Sequence, residues 1–178
     1  VVARFQGGPN AGHSLEFNNV KHVLHLIPSG IFHPEKLNII GNGVVLDPAV
    51  FKCEIENLGQ SVEELTGRLI LSAKAHLILP THRILDAAYE KHKGNLRIGS
   101  TLKGIGPAYT DKAGRNGLRI GDILSPDFMK LYEDHRSAHL MTLRNYNLEY
   151  DLKEYEKGWF EGIELLKKFR IENTEYLL

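Results

Sequence analysis

Short apolar runs that end at turn or helix-start signals recur along this chain, and their alternation limits its possible folds more than any other feature. Val1-Val2-Ala3-Arg4-Phe5, Ile39-Ile40 and Leu69-Ile70-Leu71 read as strands, and Leu77-Ile78-Leu79 as a strand or a helix entry. Ile39-Ile40 is expected to end at Gly41-Asn42-Gly43. Asp47 as N-cap before Pro48 starts a helix to about Leu58, which Gly59 stops. Pro80 opens a second helix to about His92, with Ile84, Leu85 and Ala88 on one face. Strands alternating with helices predict an α/β fold with a largely parallel central sheet and flanking helices. A hairpin is expected where Leu15-Glu16-Phe17 and the run from Val20 to Ile27 flank Asn18-Asn19, because asparagine tolerates a left-handed turn. Arg97-Ile98 reads as a further short extended piece.

Towards the C-terminus the period changes. Ser125-Pro126-Asp127 is placed to cap a helix carrying Phe128, Met129, Leu131, Tyr132 and Leu140. Leu152 to Phe169 gives another, with Tyr155, Trp159, Ile163 and Leu166 in one stripe. Between the two patterns, Gly99 to Gly121 is rich in glycine, charge and hydroxyls and predicts a surface loop rather than core. At 178 residues the chain fits one domain, divided here into an α/β part (1–98), a loop (99–122) and a helical part (123–178). A chain of this length hides roughly 70% of its unfolded surface on folding.

Composition removes several classes of function. Lys and Arg number 22 and Asp and Glu 22, so no overall charge draws the chain to nucleic acid or an anionic membrane. There is no apolar run of the ~18 residues that a membrane helix needs. The single Cys53 has no partner for an internal disulfide, and its neighbours Val50, Phe51 and Ile55 predict a buried thiol in a reduced, cytoplasmic protein.

The chemistry concentrates in Gln6-Gly7-Gly8-Pro9-Asn10-Ala11-Gly12-His13-Ser14, directly behind the first strand. Glycines at 7, 8 and 12 reach positive φ freely and bring backbone N–H groups close to a ligand. The amide of Asn10, the imidazole of His13 and the hydroxyl of Ser14 stand beside that backbone, where phosphate oxygens would need donors. The spacing G-x-x-x-x-G-K-[ST] of a Walker loop is absent. Ser100-Thr101-Leu102-Lys103-Gly104-Ile105-Gly106 sets hydroxyls, a cation and two glycines in seven residues.

Gln6-Gly7-Gly8-x-Asn10-Ala11-Gly12-His13 resembles one signature of the adenylosuccinate synthetase family. Gly104-Ile105-Gly106-Pro107-Ala108-Tyr109, with Asp111-Lys112 and Arg115, resembles the other at the expected distance. His25-Leu26-Ile27-Pro28-Ser29-Gly30, Ile40 to Pro48 and His76 to Pro80 are similar to family text as well. The resemblance is dense from Val1 to about Asp122. It implies a P-loop-NTPase-like nucleotide-binding architecture and a GTP- and Mg²⁺-dependent ligase that joins L-aspartate to inosine monophosphate (IMP). His13 then matches the catalytic acid. Asn10, Ala11, Gly12, His13, Thr101 and Arg115 match IMP contacts, Gly12, His13 and Ser14 match GTP contacts, and the Gly12 carbonyl matches a magnesium ligand. The resemblance further implies a homodimer in which Arg115 reaches the partner's active site, and makes 99–122 a substrate loop. Family members open with a Gly-Asp-Glu-Gly-Lys-Gly-Lys loop that carries the catalytic base; with none in this sequence, the chain is expected to be a fragment that is inactive alone. Ser14 and Ser100 stand where threonine is common, which keeps the hydroxyl, and Leu102 where many members have a small or basic residue. A non-catalytic nucleotide-binding module and a structural or assembly module remain the alternatives.

Other constellations read as structural. His135 and His139 share a helix face at zinc-pair spacing, yet no third ligand motif accompanies them, and a solvated face is expected. His22 and His25 fall on opposite faces of a strand, and Tyr155, Trp159 and Phe160 read as core.

Overall fold

The computed structural model describes residues 1–17, 19–96, 99–146 and 148–177. Strand β1 (Val2–Gly7) leads into a hairpin of β2 (His13–Phe17) and β3 (Val20–Leu24), followed by β4 (Asn38–Leu46) and helices α1 (Pro48–Asn57) and α2 (Val62–Thr66). Strands β5 (Leu69–Ser72) and β6 (His76–Leu77) precede α3 (Pro80–His92), α4 (Ile105–Gly114), α5 (Phe128–Leu143), α6 (Leu152–Leu166) and β7 (Arg170–Glu172). The main sheet runs in the order β1-β4-β5-β7 with every pair parallel, and β6 adds in parallel to the far end of β4. The expected α/β fold with flanking helices is what forms.

Local chemistry explains most boundaries. Asp47 accepts hydrogen bonds from the N–H groups of Ala49 (2.9 Å) and Val50 (3.4 Å), which fixes the start of α1, and Gly59 follows its end at φ +66°. The expected hairpin forms, with Ser14 opposite Val23, and Asn19 is left-handed at φ +59°. Asn18, Arg97 and Ile98 lie outside the described residues.

Three expectations are corrected. Strand β4 does not end at Gly41-Asn42-Gly43 but continues to Leu46. A Cβ on Gly43 would lie 2.1 Å from the Phe5 carbonyl oxygen, so the glycine lets β4 pass close to β1 where their pairing shifts between Arg4 and Gln6. Cys53 is exposed, because α1 buries Phe51, Glu54 and Ile55 and the helical period turns position 53 to the other side. Within Gly99 to Gly121 lies the helix α4, whose Pro107 and Ala108 are buried, and beyond it Leu118 and Ile120 enter the core. Periodicity missed it because polar side chains and carbonyls from distant segments anchor it.

The C-terminal helices close on the same core as the sheet. Trp159 is 2% exposed and its indole N–H donates to the Ile78 carbonyl at 2.8 Å. Gly162 lies so close to Pro48 that a Cβ would meet the Pro48 carbonyl oxygen at 2.2 Å, which seats α6 on α1. Trp159 is therefore core as expected, while Tyr155 stays partly exposed under the Arg83 guanidinium, 5.1 Å from its ring centroid.

Candidate active site

The glycine-rich connection between β1 and β2 is fastened at one end and open at the other. Gly7 has φ +86°, and a Cβ on Gly8 would meet Val45 Cγ2 at 2.9 Å, so both positions need glycine. Arg4 Nη2 donates to the Gly8 carbonyl at 3.0 Å. Gly8 and Pro9 are buried, whereas Asn10, Ala11, Gly12 and Ser14 are exposed. His13, at the start of β2, is half-buried and lines an open groove of about 380 Å³ with Arg4, Gln6 and Ser29. Burial first, then the charge of Arg4 and the neighbouring His25, lower the His13 pKa, so its ring is neutral at neutral pH. A neutral imidazole has one N–H to give and one nitrogen to accept with.

Gly12 rests on His25, whose Nε2 would lie 3.0 Å from a Cβ at that position. The Glu54 carboxylate on α1 holds His25 from behind by accepting the N–H groups of His25, Leu26 and Ile27 at 2.9 to 3.1 Å. Sequence reasoning placed Glu54 on a helix and missed this, because its partners lie 27 to 29 residues away.

The second glycine-bearing string docks directly onto the first. Lys103 Nζ donates to the Pro9 carbonyl at 2.7 Å. The Tyr109 hydroxyl accepts the Gly7 N–H at 2.9 Å and donates to the Gly43 carbonyl at 2.9 Å, bridging loop, β1 and β4. Gly104 is left-handed at φ +75°, with a Cβ position only 2.8 Å from the Arg83 nitrogen, and its N–H donates to Asp86 at 3.0 Å. Ser100 donates its hydroxyl to Asp86 at 2.7 Å, and Thr101 is exposed beside Leu102, which takes a left-handed φ of +54°. Arg115 is exposed at the opposite end of α4, also left-handed at φ +59°.

A polar cluster behind α4 was not read from the sequence. His82 Nε2 and His139 Nε2 both lie 2.9 Å from Asp111 Oδ2, and His139 Nδ1 lies 2.6 Å from the Thr81 hydroxyl. His139 is 8% exposed, so the solvated face expected for the His135/His139 pair is corrected at that residue. The three ligand-type atoms are within 4.8 Å of one another, a spacing that invites a metal. The proton positions argue against it. The Leu79 N–H donates to His82 Nδ1 at 3.0 Å, so the neutral ring carries its hydrogen on Nε2, pointing at Asp111. A metal on Nε2 would need that hydrogen moved to Nδ1, against the Leu79 N–H. Burial raises the Asp111 pKa, but the hydrogen bonds from His139 and His82 outweigh it and hold the carboxyl well below the usual range. Burial lowers the His82 pKa in turn, so the cluster is a carboxylate gripped by two imidazole rings. The only sequence signal was the spacing of His135 and His139; the other partners sit on separate helices.

Among the described residues no helix is long and apolar enough to cross a membrane. The adenylosuccinate synthetase family model matches residues 1–178. The chain is 61% identical over 176 residues to the adenylosuccinate synthetase of Bacteroides fragilis, covering 99% of this chain and 41% of that protein. It is 57% identical over 180 residues to the enzyme of Flavobacterium johnsoniae, covering 99% of this chain and 43% of that protein. Among solved structures, the fully ligated adenylosuccinate synthetase from Plasmodium falciparum superposes with a TM-score of 0.77 at 38% identity, over 94% of this chain and 39% of that one. The chain thus spans about two fifths of the length of these relatives, and it belongs to the adenylosuccinate synthetase family.

Proposed function

We propose that residues 1–178 form part of an adenylosuccinate synthetase domain and supply the IMP and part of the GTP site of a cytoplasmic, GTP-dependent ligase. The observation that carries this reading is the docking of the two signature strings through Lys103 and Tyr109, which leaves the donors of residues 10–14 facing outward. The reaction has two steps. The γ-phosphoryl group of GTP passes to O6 of IMP, giving 6-phosphoryl-IMP and GDP; the aspartate amine then attacks C6, expels phosphate and leaves adenylosuccinate.

In this reading Asn10, Ala11, Gly12 and His13 hold IMP beside the groove, and Gly12, His13 and Ser14 meet the GTP phosphates. With its pKa lowered, His13 gives the N–H of a neutral ring to the β-phosphate oxygen on which charge builds as the γ-phosphoryl leaves. Gly12 is exposed, and a main-chain oxygen suits magnesium, a hard cation that takes few protein ligands beside phosphate oxygens and water. That ion would neutralise phosphate charge. Thr101 and Arg115 bind the 5′-phosphate of IMP, Thr101 by its hydroxyl and Arg115 by a two-pronged contact. Arg115 stands ten residues along α4 from Ile105, which abuts Gly8, about 15 Å at helical rise. That distance favours the reading in which Arg115 serves a partner subunit of a homodimer.

The test replaces the matching part of the Bacteroides fragilis synthetase with this chain and assays adenylosuccinate from IMP, GTP, aspartate and Mg²⁺. The chimera should turn over within about tenfold of the parent, while residues 1–178 alone make no product. A folded but inactive chimera, or product from the chain alone, would overturn the assignment.

A further inference from the structure

The His82, Asp111 and His139 cluster has no place in the reading above, yet it is tied directly to the residue that reading sends across the dimer. The side chain of Asp111 on α4 is held from two sides, by His82 of α3 and His139 of α5, each at 2.9 Å. Thr81, fully buried, sets the far nitrogen of His139 at 2.6 Å, and the Leu79 N–H does the same for His82 at 3.0 Å. The main-chain carbonyl of the same Asp111 accepts the N–H of Arg115 and, at 2.9 Å, that of Asn116. This closes the turn that keeps Arg115 left-handed at φ +59°, a conformation uncommon for a residue with a Cβ. Lys112 pins the adjacent position through the Asn42 carbonyl at 2.5 Å.

We infer that Asp111, gripped by His82 and His139, is a positioning residue for Arg115: the imidazole grip fixes the carbonyl on which the turn presenting Arg115 closes. The inference rests on the proposed role of Arg115 at the IMP phosphate. A side chain held at both ends of its residue transmits position without touching substrate, and a displacement near 1 Å is enough to cost a phosphate contact. Asparagine at 111 cannot accept two N–H groups on one anionic oxygen, so the grip loosens while volume and shape persist.

The experiment is a double-mutant cycle in the full-length chimera, read as Michaelis constants. Asp111→Asn should raise the KM for IMP about tenfold, the size of one charge-assisted hydrogen bond, with kcat and the KM for GTP within about twofold. On an Arg115→Leu background the same substitution should add less than about twofold, whereas on a Thr101→Ala background it should keep its full effect. A global loosening of the fold would add equally on both backgrounds and would overturn the inference. So would an Asp111→Asn enzyme with an unchanged KM for IMP. If Arg115→Leu alone leaves that KM unchanged, the role of Arg115 fails and the inference falls with it; a strong Arg115→Leu effect beside a neutral or fully additive Asp111→Asn sinks the inference alone. Should Asp111→Asn not fold, His139→Leu is read in the same cycle with the same expectations, and His139→Gln, which keeps an N–H towards Asp111, should stay within about twofold of the parent.

Discussion

The glycine-rich loop and helix α4 face each other across Tyr109, and they use their polar groups in opposite ways. In the loop and the start of β2, Asn10 and Ser14 stay exposed, and Arg4, Lys103 and Tyr109 tie down the first half of the loop. In α4, Tyr109, Asp111 and Lys112 each spend their side chain on the protein itself. Two strings that look alike in sequence, both rich in glycine and polar residues, are therefore placed differently: one leaves its donors exposed, the other builds the frame beside it. Buried polar anchors are costly to lose and exposed donors are cheap.

The same substitution placed in each region sharpens this contrast most. Gly104→Ala forces a Cβ to 2.8 Å from the Arg83 nitrogen at φ +75° and should destabilise the chain by about 3 kcal/mol or more in urea unfolding. Gly12→Ala first meets the side chains of His25 and Val23, at 3.0 and 3.1 Å, and should cost less than about 1 kcal/mol. Equal losses would erase the distinction between frame and loop. Next in size, Asp111→Ala leaves two inward N–H donors without an acceptor and should cost about 2 kcal/mol, against about 0.5 kcal/mol or less for Ser14→Ala. An effect of pH is expected as well. Burial, Lys112 and Arg119 lower the pKa of His76 to about 4, against 6.5 for an unperturbed ring. The folded state therefore binds this proton later than the unfolded state, so the contribution of His76 is complete above pH 6.5 and fades as pH falls towards 4. Charging His76 beside Lys112 should loosen the frame first, and His76→Gln should flatten the fall in stability between those values. An unchanged slope would remove His76 from the account.

Much of this was legible in the sequence, for identifiable reasons. The Asp47-Pro48 start, the Asn19 turn and the strand at Leu69 to Leu71 depend on nearby residues, and they form as read. Helix α4 was not legible, because its anchors are His82, His139, Asn42 and Gly43, brought in by the fold from 28 to 70 residues away. Cys53 was misread for a related reason: apolar neighbours in sequence do not say which face of α1 a residue takes. Of the candidate site, the loop could be read because glycine spacing is a local signal, whereas the support of Gly12 by His25 and Glu54 could not.

The central claim is that the open loop does chemistry through His13, and a single-turnover measurement on the full-length chimera tests it most directly. With His13→Asn the protein should bind IMP with a dissociation constant within about threefold of the parent while the rate of γ-phosphoryl transfer from GTP falls by about 10²–10⁴. A transfer rate within about threefold of the parent, with IMP bound normally, would contradict it.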